Sequence, residues 1–228
     1  MADTPAIELR DLSRHFGERV ALRDVSVRVA AGATLAVLGR NGAGKSTLLR
    51  ILATLLRPHG GEAIVLGEPL PRRAFAVRSR IGFVGHEPLL YRDLNGRENL
   101  RYHARLRGVD SGRVEELLAA AGMDGRAQEP VRVLSQGMVQ RLAICRAVLH
   151  GPELLLLDEP RANLDPGASE LLEPLIGRAA AATRVLTSHD PRAALAEADL
   201  VLGLRDGRAA FVGEPDQLTG AALRELYA

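Results

Sequence analysis

Residues 39–47, Gly-Arg-Asn-Gly-Ala-Gly-Lys-Ser-Thr, constrain this 228-residue chain more than any other stretch. They follow the pattern G-x-x-x-x-G-K-[ST]. Glycines in such a loop let backbone N–H groups turn inward as a cup, and the helix that follows adds partial positive charge. The flanks agree with this. Thr34 to Leu38 reads as a strand, and Leu48, Leu49, Leu52, Leu55 and Leu56 recur at helical spacing. The stop falls at Arg57-Pro58-His59-Gly60-Gly61. A triphosphate suits this cup, held by Gly39, Arg40, Asn41, Gly42, Ala43, Gly44, Lys45, Ser46 and Thr47. Lys45 is the only lysine; every other basic side chain is arginine. A sequence this biased toward arginine keeps lysine at the one place where a compact ammonium must reach between phosphates.

Composition narrows the partners. Aromatic residues make up only 3% of the chain and tryptophan is absent, which disfavours a surface that stacks nucleic-acid bases. The 30 basic and 28 acidic side chains nearly balance, with no basic block, so no nucleic-acid partner is expected. Cys145 is alone and forms no internal disulfide. No apolar run reaches the ~18 residues that span a bilayer. Met1-Ala2-Asp3-Thr4 carries no basic and apolar leader, so no signal peptide is expected. The short stretch after Tyr227 is expected to hold no regulatory domain.

The pattern of elements predicts an α/β fold: a mostly parallel sheet with helices, and antiparallel N-terminal strands. Residues 7–29 read as strands, with alternation at Ile7 to Leu9 and Val25 to Val29, and Ala63 to Gly67 and Arg80 to Gly85 read as two more. Helical spacing then covers Gly96 to Leu106, Val114 to Ala121 and Gln136 to Leu149. Residues 88–150 are therefore expected to form an inserted helical lobe. Residues 1–87 and 151–228 would form the nucleotide-binding core. Four leucines, 154–157, fit a strand buried on both faces. That strand ends in Asp158-Glu159, at the carboxyl edge where open α/β sheets bind ligands. Asp165-Pro166 and Asp190-Pro191 each read as an N-cap followed by proline at the first helical position. Thr183 to His189 is a further strand, and Leu200 to Val212 a hairpin turning at Asp206-Gly207. A short helix is expected at the end of the chain.

A phosphate loop followed by an acidic strand end points to a P-loop NTPase core. In that class a loop hydroxyl, here Ser46, and the strand-end acid, here Asp158, hold Mg²⁺ directly or through water. Glu159 is placed to take a proton from an attacking water.

Leu134-Ser135-Gln136-Gly137-Met138 resembles the signature motif of ABC-transporter ATPase subunits, usually written LSGGQ. With the phosphate loop before it, Leu-Leu-Leu-Leu-Asp-Glu-Pro after it and Thr187-Ser188-His189-Asp190 later, the resemblance covers nearly the whole chain. It implies ATP and Mg²⁺ as cofactors and a head-to-tail pair of subunits. In such a pair, each ATP lies between one subunit's phosphate loop and the other's Ser135, Gln136 and Gly137. Ser135 as an N-cap leaves its helix presenting free N–H groups to an anion. The resemblance implies that His189 contacts the γ-phosphate and positions water, and that Phe16 stacks on adenine. Asp165 corresponds to a loop that crosses the dimer interface; a plain helix cap is the equal alternative. Integral-membrane permease subunits are the implied partners, and the implied location is peripheral, on the cytoplasmic face of the cell membrane.

The chain departs from the family pattern in three places. Gln136 and Met138 replace a glycine and a glutamine of the signature. Arg161 follows Glu159-Pro160 where small or neutral residues are common, and an ion pair across the interface is its only suggested role. His86 stands where the family has a glutamine linking the nucleotide to the membrane subunit; it is expected to serve the catalytic cycle, or else to be an idle loop residue. Gly85-His86-Glu87-Pro88 resembles the cytochrome c maturation branch, which implies haem export. Export of a drug, lipid or polysaccharide is the alternative. A soluble ABC ATPase of translation or DNA repair is the alternative of another class. Glu159 argues against a regulator that binds ATP without hydrolysing it.

Overall fold

The computed structural model describes residues 4–180 and 182–228. Met1–Asp3, where no signal peptide was expected, and Ala181 lie outside the described residues. Two sheets make up the β structure. The first is antiparallel, in the order β2-β1-β4-β5, from β1 (Ile7–Phe16), β2 (Arg19–Val29), β4 (Gly60–Val65) and β5 (Glu68–Leu70). The second runs β10-β9-β3-β8-β7-β6. It comprises β3 (Thr34–Leu38), β6 (Ile81–Val84), β7 (Leu154–Asp158), β8 (Thr183–Thr187), β9 (Leu200–Arg205) and β10 (Arg208–Gly213). All its pairings are parallel except β9 with β10. The mixed α/β architecture expected from the sequence is the one observed.

Period-two alternation divides the core. Leu154 and Leu156 pack toward the antiparallel sheet and α1 (Lys45–Leu52), while Leu155 and Leu157 pack toward the helices on the other face. Leu35 and Val37 of β3 follow the first pair, Ala36 and Leu38 the second. All four leucines of β7 are essentially buried, each contributing roughly 1.5–3 kcal/mol. The chain between β6 and β7 contains α3 (Gly96–Arg107), α4 (Gly112–Ala120) and α5 (Gln136–Val148). Asn95 and Glu98 form a reciprocal capping box at the start of α3. Cys145 is buried on α5, and burial pushes its thiol up to about 12, so it is unreactive.

The strands expected across residues 7–29 are β1 and β2, of 10 and 11 residues, but the alternation read at Ile7 to Leu9 and Val25 to Val29 does not run through them. Asp11 and Asp24 take left-handed backbone conformations and the pairing register shifts along the strands, which breaks the alternation. The helix after the phosphate loop ends at Leu52, because Thr54 turns left-handed. Leu55, expected on its buried face, is exposed. Strand β5 and the short helix α2 (Ala74–Arg78) carried no periodic signal. Beyond these lie α6 (Pro166–Ile176), α7 (Pro191–Glu197) and α8 (Gly220–Tyr227).

Candidate functional site

Three neighbouring parallel strands, β3, β8 and β7, end at one edge of the sheet. Val37 pairs with Thr187, and Thr187 with Asp158, so the phosphate loop, Ser188-His189 and Asp158-Glu159 emerge side by side. The loop needs its glycines. At Gly39 (φ 139°) an added Cβ would lie 2.2 Å from the Leu204 carbonyl oxygen, and at Gly44 (φ 112°) 2.5 Å from that of Ala21. Gly44 caps α1 without any side-chain bond, leaving the first-turn N–H groups to a ligand.

Lys45 is buried and its Nζ donates to the carbonyl oxygens of Gly39 (2.7 Å) and Arg40 (3.1 Å). Burial lowers its pKa, against the raising effect of Glu159 and Asp158. The ammonium is thus held within the loop, where an anion of high charge would restore the environment it lacks. A cleft of about 310 Å³ opens beside it, lined by Asn41, Gly42, Gly44, Lys45, Ser46 and Thr47, with Phe16, Arg19, Ala21 and Glu159. Gly39, Arg40 and Ala43 do not line this cleft. Phe16 is half exposed, and the Arg14 guanidinium covers one of its faces at 4.6 Å.

Thr187 joins the two acids. Its buried hydroxyl donates to Asp158 Oδ1 (2.7 Å) and accepts the Glu159 backbone N–H (3.0 Å). Glu159 has φ 55°, a strained conformation for a residue with a side chain. Its Oε2 lies 2.6 Å from His189 Nε2, with the ring N–H donating. Asp158 and Glu159 therefore sit differently: one fixed and buried, the other hydrogen-bonded to an exposed histidine.

The other residues singled out lie apart from this cleft. Ser135 caps α5, accepting from the Met138 N–H at 3.3 Å, and is exposed together with Gln136. An added Cβ on Gly137 would meet the Asn163 carbonyl at 2.9 Å, and Gln140 Nε2 donates to the Pro160 carbonyl at 3.0 Å. The signature helix thus leans on the turn that follows Glu159. Asp165 caps α6 through the Ala168 N–H (2.9 Å) and lies 3.6 Å from Arg141. His86 does not join the phosphate cleft. It lines a separate one with Arg50, Leu55, Leu56, Phe83 and Leu89, which removes direct contact with the reacting atoms from its expected part in catalysis. Arg161, offered above an ion pair with a partner, finds its partners within the chain, Glu197 and Glu173.

Sequence reasoning passed over Arg19 and Thr187. Arg19 enters the cleft from β2, near in space to Gly42 and distant in sequence. Thr187 lay inside a quoted motif, two residues before His189, where strand spacing alone aims it at the same edge.

Residues 22–162 match the sequence profile of the family described as ABC transporter. The chain is 37% identical to Nod factor export ATP-binding protein I of Sinorhizobium fredii, over 97% of this chain and 68% of that protein. It is 38% identical to daunorubicin resistance ATP-binding protein DrrA3 of Streptomyces coeruleorubidus, over 96% of this chain and 71% of that protein. Among solved structures, an ATP-binding subunit of an ABC transporter superposes with a TM-score of 0.86 at 30% identity, covering 97% of both chains. The dimeric ATP-binding cassette MJ0796 bound to ADP and Pi superposes with a TM-score of 0.83 at 26% identity, covering 92% of this chain and 98% of that one.

Proposed function

Because this chain belongs to the ABC transporter family as an ATPase, we propose that it is the motor subunit of an exporter that works through integral-membrane permease subunits. Among the described residues no helix is long and apolar enough to cross a membrane, so the permease is assigned to partner chains. The name of one relative, a Nod factor export protein, supports export as the direction.

The observation that carries the hydrolytic reading is the meeting of Lys45 with Glu159 in one cleft. The loop N–H groups and Lys45 bind and orient the triphosphate, and Arg19 adds a second cation at the rim. Phe16 offers its uncovered face to the base. Glu159 accepts a proton from water, while His189 holds its carboxylate in place. The hydroxyl of Ser46 and the carboxylate of Asp158 are hard oxygen donors that fit Mg²⁺, and the Thr187 bond leaves Asp158 Oδ2 without a hydrogen bond among the described residues. Bound Mg²⁺ would supply positive charge against the phosphates. Replacing Glu159 with Gln should keep ATP binding and abolish steady-state turnover; unchanged turnover would remove Glu159 from the base role. Chelation by EDTA should silence the wild type, and full activity in EDTA would remove the metal assignment.

Ser135, Gln136, Gly137 and Asp165 are assigned to a second copy's nucleotide, since none lines the cleft of its own chain. Residues 88–150 are assigned to a helical lobe that moves against the core of residues 1–87 and 151–228; hydrogen exchange should show it opening as one unit.

For the cargo, the names of the two relatives support the alternative of drug, lipid or polysaccharide export; the haem-export reading has only a loop resemblance behind it. It rests on Gly85-His86-Glu87-Pro88, with His86 exposed in a cleft away from the nucleotide. Purification from native membranes in mild detergent tests it. Recovery with permeases of cytochrome c maturation supports haem, and recovery with another permease gives the cargo to that system. On this reading His86→Ala should lower partner-stimulated turnover more than basal turnover, and equal effects would make His86 idle.

A further inference from the structure

The turn after Glu159 has little beneath it. Residues 159–164 are closed by two backbone bonds, from Ala162 N–H to Glu159 and from Leu164 N–H to Arg161. Under the turn lies a cavity of about 330 Å³, walled by Leu157, Pro160, Ile176, Leu186 and Ala194. Packing therefore does not seat the strained Glu159 backbone from that side.

Arg161 spans this gap. One arm of its guanidinium donates to Glu197 Oε1 and the other to Glu173 Oε2 at 2.5 Å. Glu197 is the last residue of α7, the helix that begins directly after His189-Asp190. Its second oxygen accepts from Arg184 Nη1 at 2.9 Å. Arg184 is 1% exposed and is anchored on the Ile176 carbonyl (2.7 Å) and on Thr34 Oγ1 (3.0 Å), at the start of the strand that leads into the phosphate loop. A continuous chain of charge-assisted bonds thus joins the sheet, the helix after His189 and the turn after Glu159.

We infer that Arg161 is a positioning residue for ATP hydrolysis, which through Glu197 holds the Glu159 turn and the His189 loop in register with each other. The inference rests on the roles proposed above for Glu159 and His189. Arg161 itself does not line the nucleotide cleft. Its loss should therefore change the rate of the chemical step and spare ATP binding.

The test measures basal Mg-ATPase activity of the whole chain in four variants. Arg161→Met should lower kcat about tenfold, since misplacement of a reacting group by an ångström costs up to about 100-fold, with KM for ATP changed less than about twofold. Arg161→Lys keeps a cation within reach of Glu197 and should restore kcat to within about threefold of wild type. Glu173→Gln removes only the outer carboxylate and should stay within about twofold. Retention of kcat in Arg161→Met, a matching rise in KM, or no rescue by lysine would overturn the inference. So would a Glu173→Gln loss as large as that of Arg161→Met, because the effect would then be general loosening of the turn. Should Arg161→Met fail to fold, Arg161→Gln takes its place in the same comparison. Glu159→Gln separates the two levels. Turnover in that variant defeats the base assignment, whereas a silent Glu159→Gln beside a fully active Arg161→Met defeats the positioning role alone.

Discussion

The phosphate-loop end and the signature end of this chain are finished to different degrees. At the first, Lys45 is buried on two carbonyls, Asp158 is bonded to Thr187 and Glu159 to His189. At the second, Ser135 and Gln136 are exposed, and the Ser135 side chain satisfies one N–H of the first turn of α5. On the reading proposed above, the first end binds and hydrolyses the nucleotide, and the second, none of whose residues lines that cleft, meets the nucleotide of a second copy. One chain would then carry two half-sites, which a second copy completes.

The comparison breaks most directly at its catalytic end. Glu159→Gln should cost about 100-fold or more in turnover, the scale of a lost general base, with ATP affinity nearly unchanged by equilibrium binding. Lys45→Ala should weaken ATP binding about 30-fold or more, as a buried charge-assisted contact is worth roughly 2–3 kcal/mol; titration with a fluorescent ATP analogue reads this. Thr187→Val keeps the shape and removes the hydroxyl shared by the two acids. It should lower kcat about tenfold and stability by roughly 1–2 kcal/mol, measured by steady-state kinetics and denaturant melts. Ser135→Ala should cost about 1 kcal/mol as a lost cap. If its helix end serves a second copy, its turnover should also lose its dependence on protein concentration.

The smallest expected effect lies outside both ends. Burial first, then the charges of Arg146 and Arg107, push His103 down to about 4, and burial with the same two arginines does so for His150. Both folded pKa values lie below the ordinary value of 6.5, so the unfolded chain takes up protons first as pH falls. Their contribution to stability is present above about pH 6.5 and is lost as pH drops toward 4. The melting temperature should fall across that window, and His150→Gln should flatten the fall.

Much of both ends was legible because it is written locally. The phosphate loop, the buried strand ending in two acids, and the caps at Ser135, Asp165 and Asp190 each occupy a few consecutive residues whose conformations are set nearby. What escaped was set across the fold. Arg19 reaches the cleft from another sheet, and the pairs of Arg161 and Arg184 with Glu197 join residues 36 and 13 positions apart. Only the alternation within β1 and β2 was obscured, by bulges, since a period-two signal fades wherever an extra residue enters a strand. Leu55 misled for the opposite reason: its spacing was helical, but the backbone had already turned at Thr54.

Sedimentation velocity of the Glu159→Gln chain, with and without Mg-ATP, tests the half-site account most directly. A monomer that becomes a dimer carrying two ATP molecules, and that reverts when Ser135 is also replaced by a bulky residue, is the predicted result. A chain that binds ATP to saturation and still sediments as a monomer at every concentration would contradict it.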